Sequence, residues 1–261
     1  MALTIAGSDS GGGAGIQADI KTFFALDIFG TSAITCVTAQ NPDAIRGISA
    51  VPSGMVMLQI RTVCEGFPVS AVKTGMLYSA AIIRAVAESL VLCNVPLLVI
   101  DPVMTASSGS RVLREDAVEL LCTRLLPMAT VITPNIPEAE ILCGHTITSV
   151  DASKAAAREI SERYGTACVV KGGHLSGSKV VDVLFEDGAE HCYSSIRLKV
   201  AETHGTGCVF SAALTAFLAR GESLHNAVRK AKLYVRNSLK ATTHVATKAR
   251  RRRDTKGIKS L

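Results

Sequence analysis

The 261-residue chain lacks tryptophan, and its eight cysteines, at 36, 64, 93, 122, 143, 168, 192 and 208, include no CxxC pair and no Cys/His cluster. A structural zinc site draws on closely spaced ligand pairs, and a disulfide framework suits a small secreted chain. The expectation is therefore reduced thiols that pack as small apolar groups in a cytoplasmic protein. No apolar run approaches the ~20 residues that cross a bilayer; the longest, such as residues 95–100, are strand-sized. The start, Met1-Ala2-Leu3-Thr4, has neither the basic stretch nor the long apolar core of a signal peptide, so export is not expected. No linker rich in Pro, Gly or Ser divides the chain, and no fixed-period repeat stands out. With 48% apolar and 19% charged residues, what remains is a soluble globular protein with no membrane partner.

Charge is also missing from most of the chain in net terms. Residues 248–261 hold seven Lys and Arg against one Asp, which accounts for the whole net charge of +6. We read one domain over residues 1–247, followed by a basic, disordered tail at 248–261. The tail has no interleaved aromatics, which favours a solvated terminus over a nucleic-acid contact.

Strand-like runs alternate with helical ones almost throughout. Strands are expected at 2–6, 31–37, 71–72, 96–100, 130–133 and 167–170, with a hairpin of 180–185 and 191–194 around Asp187-Gly188. Helices are expected at 16–26, from a Ser53 cap to 65, from a Ser79 cap to 93, and at 114–125 and 137–143. Further helices are expected from an Asp151 cap to 164, and at 207–219 and 222–240. This rhythm predicts an α/β fold with a mostly parallel sheet and helices on both faces. In such sheets ligands gather at the carboxyl ends of the strands. Polar groups recur there: Gly7-Ser8-Asp9, Gln40-Asn41, Lys73-Thr74-Gly75, Asp101, Asn135 with Glu138, and Lys171-Gly172-Gly173-His174. Six such ends are more than turn chemistry requires.

Gly205-Thr206-Gly207-Cys208 opens the helix expected over 207–219. A glycine-rich helix start leaves backbone N–H groups unpaired at the positive end of the peptide dipoles, which suits a phosphate. Here a thiol sits beside that cradle. The sequence has no GxxxxGK[ST], which excludes a P-loop enzyme. The glycines at 11–13 and 15 follow the first strand, but no Asp or Glu ends a second strand as a dinucleotide fingerprint requires. Phosphoryl transfer to an alcohol needs N–H donors and cations for the triphosphate, a divalent metal, a positioned hydroxyl and a base. The 205–208 loop can supply the donors, Asp101 and Glu138 can supply hard oxygen ligands for Mg²⁺, and Lys171 can lie close to phosphate oxygens.

These residues fall in long, ordered motifs: residues 6–22 (AGSDSGGGAGIQADIKT), 38–41 (TAQN), 73–77 (KTGML), 101–104 (DPVM), 133–139 (TPNIPEA), 170–174 (VKGGH) and 203–208 (THGTGC). In them the chain resembles the hydroxymethylpyrimidine/phosphomethylpyrimidine kinases of thiamine synthesis, within the ribokinase-like superfamily, over nearly all of residues 1–240. The resemblance implies a three-layer α/β/α fold and an enzyme, most simply a dimer, that uses ATP and Mg²⁺. Its substrates would be 4-amino-5-hydroxymethyl-2-methylpyrimidine and then the monophosphate. It implies Cys208 as catalytic base, in the place of the aspartate of the sugar kinases. Gln40 would read the pyrimidine amino and ring-nitrogen edge, where an amide donates and accepts at once, with Gly7, Asp9, Ala14 and Met76 lining the same pocket. Gly205, Thr206 and Gly207 would form the anion hole with Cys208, Lys171 and Asn135 would serve the phosphates, and Asp101 and Glu138 the metal.

The chain departs from that pattern at Ser107, where the family commonly has lysine, at Pro42-Asp43 after Gln40-Asn41, and at Val209-Phe210 after Cys208. Two alternatives stand beside the kinase reading: a kinase of pyridoxine, pyridoxal or pyridoxamine, and a catalytically weak pyrimidine-binding protein.

Overall fold

Short aliphatic and β-branched segments pair into a nine-stranded sheet in the computed structural model, which describes residues 1–41, 44–105, 112–198 and 205–257, with side chains described through residue 240. The strands are β1 (Ala2–Asp9), β2 (Gly30–Gln40), β3 (Ile45–Ala50), β4 (Ala71–Thr74), β5 (Leu98–Ile100), β6 (Val131–Ile132), β7 (Ala167–Val170), β8 (Lys179–Glu186) and β9 (Ala189–Ile196). The helices are α1 (Gly15–Ala25), α2 (Ser53–Gly66), α3 (Ala80–Leu92), α4 (Glu115–Leu120), α5 (Ile136–Cys143), α6 (Val150–Tyr164), α7 (Thr206–Ala219) and α8 (Leu224–Gly257). The spatial order is β3-β2-β1-β4-β5-β6-β7-β8-β9. Neighbours from β2 through β7 run parallel, and β3, β8 and β9 add antiparallel edges.

Strand alternation builds the two outer layers. Leu98, Ile100, Ile132, Cys168 and Val170 point to one face and pack with buried residues of α2 through α6, such as Ile60, Ile83, Ala139 and Ala157. Val99, Val131, Val169 and Leu184, the residues between, point to the other face and meet Phe210, Leu214 and Phe217 of α7 and Ala227 and Val228 of α8. Helix α1 joins that second layer through Phe23, which packs with Ala2, Ala212 and Ala216. Each large aliphatic or aromatic side chain buried in this way contributes ~1.5–3 kcal/mol. The result is the three-layer α/β/α arrangement with a mostly parallel sheet.

Several boundaries differ from the sequence expectation. Helix α6 begins at Val150 and its cap is Ser149, whose Oγ accepts from the Ala152 N–H at 3.1 Å; Asp151 lies inside the first turn. Ser53 is the first residue of α2 rather than its cap, and Ser79 precedes α3 without a side-chain capping bond. The stretch expected as one helix over 114–125 is α4 followed by a π-helical turn, Leu121–Leu125. Strand β3 has no counterpart in the sequence reading. It is a half-exposed edge strand whose register with β2 shifts at Gln40, so periodicity gives only a weak signal there. The hairpin around Asp187-Gly188 forms as expected, with Glu186 opposite Ala189.

The strand order reverses between β1 and β4. Chain direction from β1 leads outward to β2 and β3, and from β4 outward to β5, β6 and β7. The carboxyl ends at such a reversal diverge and leave a crevice. Gly7 to Asp9, Gly75 with Met76, Asp101, and the N-terminus of α7 all meet there.

Candidate active site

Two backbone loops form the floor of this crevice. The Asp9 carboxylate accepts from the N–H groups of Gly11, Gly13 and Ala14 at 2.8, 3.0 and 2.8 Å, which folds residues 9–14 into a tight turn before α1. Gly205, left-handed with φ +77°, presses against this turn: a Cβ there would lie 1.8 Å from the Gly13 carbonyl oxygen. Only glycine fits both the dihedral and the approach. Helix α7 then starts at Thr206, which places its N-terminal backbone at the cleft beside Ala14 and Gly15.

Beneath α7 lies a fully buried ion pair. Lys73 points from β4 toward the α1/α7 layer, and its Nζ sits 2.7 and 2.8 Å from the two carboxylate oxygens of Asp19 on α1. Thr4 Oγ donates to the same carboxylate at 2.6 Å. Burial tends to strip the Lys73 proton, but Asp19, followed by Cys208 and Asp101, outweighs it and holds the ammonium charged. Burial likewise raises the Asp19 carboxyl against the pull of Lys73 and Thr4. Sequence reasoning singled out the Lys73 motif without assigning the residue. The usable signal was a lysine inside a strand whose neighbours are apolar, which demands a buried partner.

Cys208 stands in the first turn of α7, above this pair. Burial pushes its thiol up to about 11. Lys73 and a hydrogen bond from the Gly15 backbone act to lower it, and Asp19 and Asp101 to raise it. The helix N-terminus alone would favour a thiolate; desolvation beside two carboxylates wins.

The phosphate end is built on Asp101, Lys171, Glu138 and Asn135. Lys171 Nζ lies 2.7 Å from Asp101 Oδ1, and Ser211 Oγ, one turn beyond Gly207, donates to Asp101 Oδ2 at 3.0 Å. Burial raises Asp101, but Lys171 and Lys73 outweigh it and keep the carboxyl below its ordinary value. Gly207 leaves room for this ammonium: a Cβ there would approach Lys171 Nζ to 3.3 Å. Asn135 and Glu138 form a reciprocal capping box at the start of α5. Asn135 Oδ1 accepts from the Glu138 N–H at 2.9 Å, and Glu138 Oε2 accepts from the Asn135 N–H at 2.8 Å. Glu138 is 2% exposed, and burial, with Asp101 adding to it, lifts the carboxyl to about 7 against Lys171 and two backbone hydrogen bonds.

At the other end, Gly7 brings its backbone against Cys36, where a Cβ would come within 2.9 Å of the sulfur, and Met76 borders the same gap. Gln40 closes this side, its Oε1 accepting from Thr38 Oγ at 3.2 Å and its backbone N–H donating to Ser10 Oγ at 2.8 Å. Toward α8, Asp182 is fixed by Lys232 at 2.8 Å and by the Gly172 N–H at 2.9 Å, a pairing that links β8, α8 and the turn after β7. The sequence reading did not single out Asp182, Lys232 or Ser211, since each partner lies far away along the chain.

Gln40, Gly7, Asp9, Ala14, Met76, Lys171, Asn135, Asp101, Glu138 and the whole 205–208 loop thus line one cleft of about 710 Å³. Ser107, Pro42, Asp43 and His204 lie outside the described residues. No helix is long and apolar enough to cross a membrane among the described residues.

The family described as phosphomethylpyrimidine kinase matches residues 9–251. The chain is 44% identical over 247 residues to the hydroxymethylpyrimidine/phosphomethylpyrimidine kinase of Bacillus subtilis, covering 94% of this chain and 91% of that protein. It is 45% identical over 233 residues to the thiamine biosynthesis bifunctional protein ThiED of Geobacter sulfurreducens, covering 89% of this chain but only 48% of that longer protein. Among solved structures, the phosphomethylpyrimidine kinase of Clostridium difficile 630 superposes with a TM-score of 0.81 at 41% identity, covering 91% of this chain and 98% of that one. The pyridoxal kinase of Staphylococcus aureus in complex with AMP-PCP and pyridoxal superposes with a TM-score of 0.83 at 35% identity, covering 92% and 87%. The chain belongs to the phosphomethylpyrimidine kinase family.

Proposed function

We propose that this member of the family transfers a phosphoryl group from ATP to the hydroxymethyl group of 4-amino-5-hydroxymethyl-2-methylpyrimidine, and then a second to the monophosphate. The observation that carries the reading is the meeting, at one strand reversal, of a helix N-terminus bearing Cys208 with the Asp101–Lys171–Glu138 cluster. The backbone N–H groups of Gly205 to Cys208 receive the charge that develops on the transferring phosphoryl oxygens. Lys171 neutralises phosphate charge, and Asn135 holds the α5 start against the same phosphates. Gln40 reads the amino and ring-nitrogen edge of the pyrimidine, and Gly7, Ala14 and Met76 shape the slot for the ring. Asp9 sets the 9–14 turn that borders it.

Cys208 accepts the hydroxymethyl proton. With its thiol raised to about 11, the ground state is the protonated thiol. Its first task is to orient the hydroxyl, and it accepts the proton only in its thiolate form, which the Lys73 charge favours and burial disfavours.

Mg²⁺ fits the residues present. A buried carboxyl raised to about 7 beside a second carboxylate marks a shortage of positive charge, which a divalent cation corrects. Asp101 and Glu138 would hold it, and the ion would neutralise phosphate oxygens during transfer. We further propose a cytoplasmic homodimer, consistent with the stacked Phe29 and Phe67 rings that stay exposed in the single chain. Light scattering in solution tests that assembly.

The likeness to a pyridoxal kinase gives a second reading, since pyridoxal carries a ring and hydroxymethyl group of similar size. Parallel initial rates of ADP release with the pyrimidine and with pyridoxal separate the two. We expect the larger kcat/KM for the pyrimidine; a preference for pyridoxal would transfer the function to that vitamer. Binding of the pyrimidine without ADP release would make the chain a binding protein.

A further inference from the structure

The Cys143-Gly144-His145 step is too short by itself to be a metal site, and the fold adds a third donor to it on the α2–α6 face, away from the cleft. Cys143 ends α5, Gly144 turns the chain in a left-handed cap with φ +81°, and His145 follows. Glu159 comes from the third turn of α6. One donor atom from each of Cys143, His145 and Glu159 lies within 4.8 Å of the other two. The His145 ring Nε2 is already 3.1 Å from Glu159 Oε2. We propose that Cys143, His145 and Glu159 form a site for a single thiophilic divalent cation, Zn²⁺ by preference.

The donor set carries the choice of metal. Thiolate, imidazole and carboxylate together suit Zn²⁺, with bonds of ~2.0–2.3 Å that set donors roughly 3.5 Å apart in a tetrahedron. The three donors, all within 4.8 Å of one another, must draw in from at most that distance to reach this spacing. The harder ions Mg²⁺ and Ca²⁺ prefer all-oxygen sets and are disfavoured by the sulfur. Three protein ligands leave the fourth position to water.

The surroundings are built to hold those ligands. Arg163, one turn after Glu159, donates to Glu159 Oε1 and also to the Leu142 carbonyl. That fixes the carboxylate with Oε2 turned to His145, the kind of outer contact that orients metal ligands. The Ile147 N–H donates to Glu140 Oε1 at 2.7 Å, which pins the loop after His145 to α5. Cys143 Sγ meanwhile donates to the Ala139 carbonyl at 2.9 Å. Binding replaces that S–H contact: the thiol proton leaves to solvent, the sulfur becomes a thiolate ligand, and thiolate plus carboxylate balance the two positive charges of the ion. All three ligands are partly or fully solvent-accessible, so an ion reaches them directly.

A bound ion would tie the end of α5 to α6. Helix α5 has eight residues and carries Asn135 and Glu138 of the phosphate end at its other terminus. The site therefore clamps the one helix that presents the proposed metal ligand Glu138 to the cleft.

The test uses the full, reduced, chelator-stripped chain, titrated with Co²⁺ as an optical probe and then with Zn²⁺ in competition against a chromophoric chelator. We expect one Co²⁺ per chain with a thiolate-to-cobalt charge-transfer band and tetrahedral d–d bands, both lost when one equivalent of Zn²⁺ is added. Cys143→Ser removes the charge-transfer band, and His145→Gln and Glu159→Gln each weaken Zn²⁺ binding at least about tenfold. His145 is on an exposed loop, so its variant folds irrespective of the site. A charge-transfer band that persists in Cys143→Ser would place the ion on another of the cysteines and overturn the proposal, as would a wild-type chain that shows no band.

Discussion

Lys73 Nζ lies 2.7 Å from Asp19 Oδ1, with both side chains completely buried, so the chain maintains a desolvated ion pair directly below the start of α7. A hydrophobic pair of similar volume would hold the sheet to α1 equally well or better. The pair is instead placed where its cation acts on Cys208 and its anion acts against it.

Breaking one half of that pair leaves an unpaired buried charge. We expect Lys73→Met to destabilise the fold by ~3–5 kcal/mol. The double variant Lys73→Met/Asp19→Leu should recover most of that loss while leaving turnover impaired. Urea denaturation of the three proteins gives the comparison. A double variant no more stable than the single would show that packing, not charge, sets the cost.

Cys208→Ala should lower kcat by roughly 10²–10⁴, the usual contribution of a positioned general base. Because burial pushes the thiol up to about 11, alkylation of Cys208 should be slow near pH 8 and should accelerate roughly tenfold per pH unit above it, as thiolate forms. Mass spectrometry of peptides after timed iodoacetamide treatment reads this directly. Rapid labelling at pH 7 would mean a pre-formed thiolate.

Glu138 gives a pH signature. Its carboxyl moves from an ordinary value of 4.5 to about 7 on folding, first through burial. Between those values the folded state keeps a proton that the unfolded chain has released, so stability falls as pH rises through the window and levels off above it. Glu138→Gln removes that contribution. Melting temperatures of the two proteins from pH 4.5 to 8, without divalent cations, should draw apart, the wild type losing more as pH rises. Parallel curves would rule out the raised carboxyl. The variant should also need a higher Mg²⁺ concentration for half-maximal rate.

Gly205→Ala places a methyl group 1.8 Å from a backbone oxygen at a left-handed residue, so the 9–14 turn or the start of α7 must move. With ~1–3 kcal/mol of strain at the anion cradle, kcat/KM for ATP should fall about 10–100-fold. Gly144→Ala has the same backbone sign, φ +81°, and open space around it. It should cost only ~1 kcal/mol of stability and leave the kinetics unchanged.

Gln40→Ala should raise KM for the pyrimidine about 5–150-fold, the equivalent of ~1–3 kcal/mol for polar ring atoms left unsatisfied. Hydrolysis of ATP without the pyrimidine should change less. Equal losses in both reactions would assign Gln40 to the scaffold, where Thr38 and Ser10 already hold it.

The sequence by itself determined the layer order and the site's inventory. Strict strand alternation, as in Leu98-Val99-Ile100, needs two apolar faces, and polar residues that interrupt such strands only at their ends have to collect along one edge of the sheet. Gly205 and Gly207 were legible because an anion cradle at a helix start requires backbone that side chains would block. Tertiary structure decided what depends on distance through space. Lys73 is separated from Asp19 by 54 residues, Lys171 from Asp101 by 70, and Ser211 from Asp101 by 110, and no local pattern encodes those pairings. It also decided the state of Cys208, because the helix N-terminus is visible in sequence while the burial that overrides it, among Lys73, Asp19 and Asp101, exists only in the folded chain. The same holds for Glu159, which joins the sequence neighbours Cys143 and His145 only when α5 and α6 pack side by side.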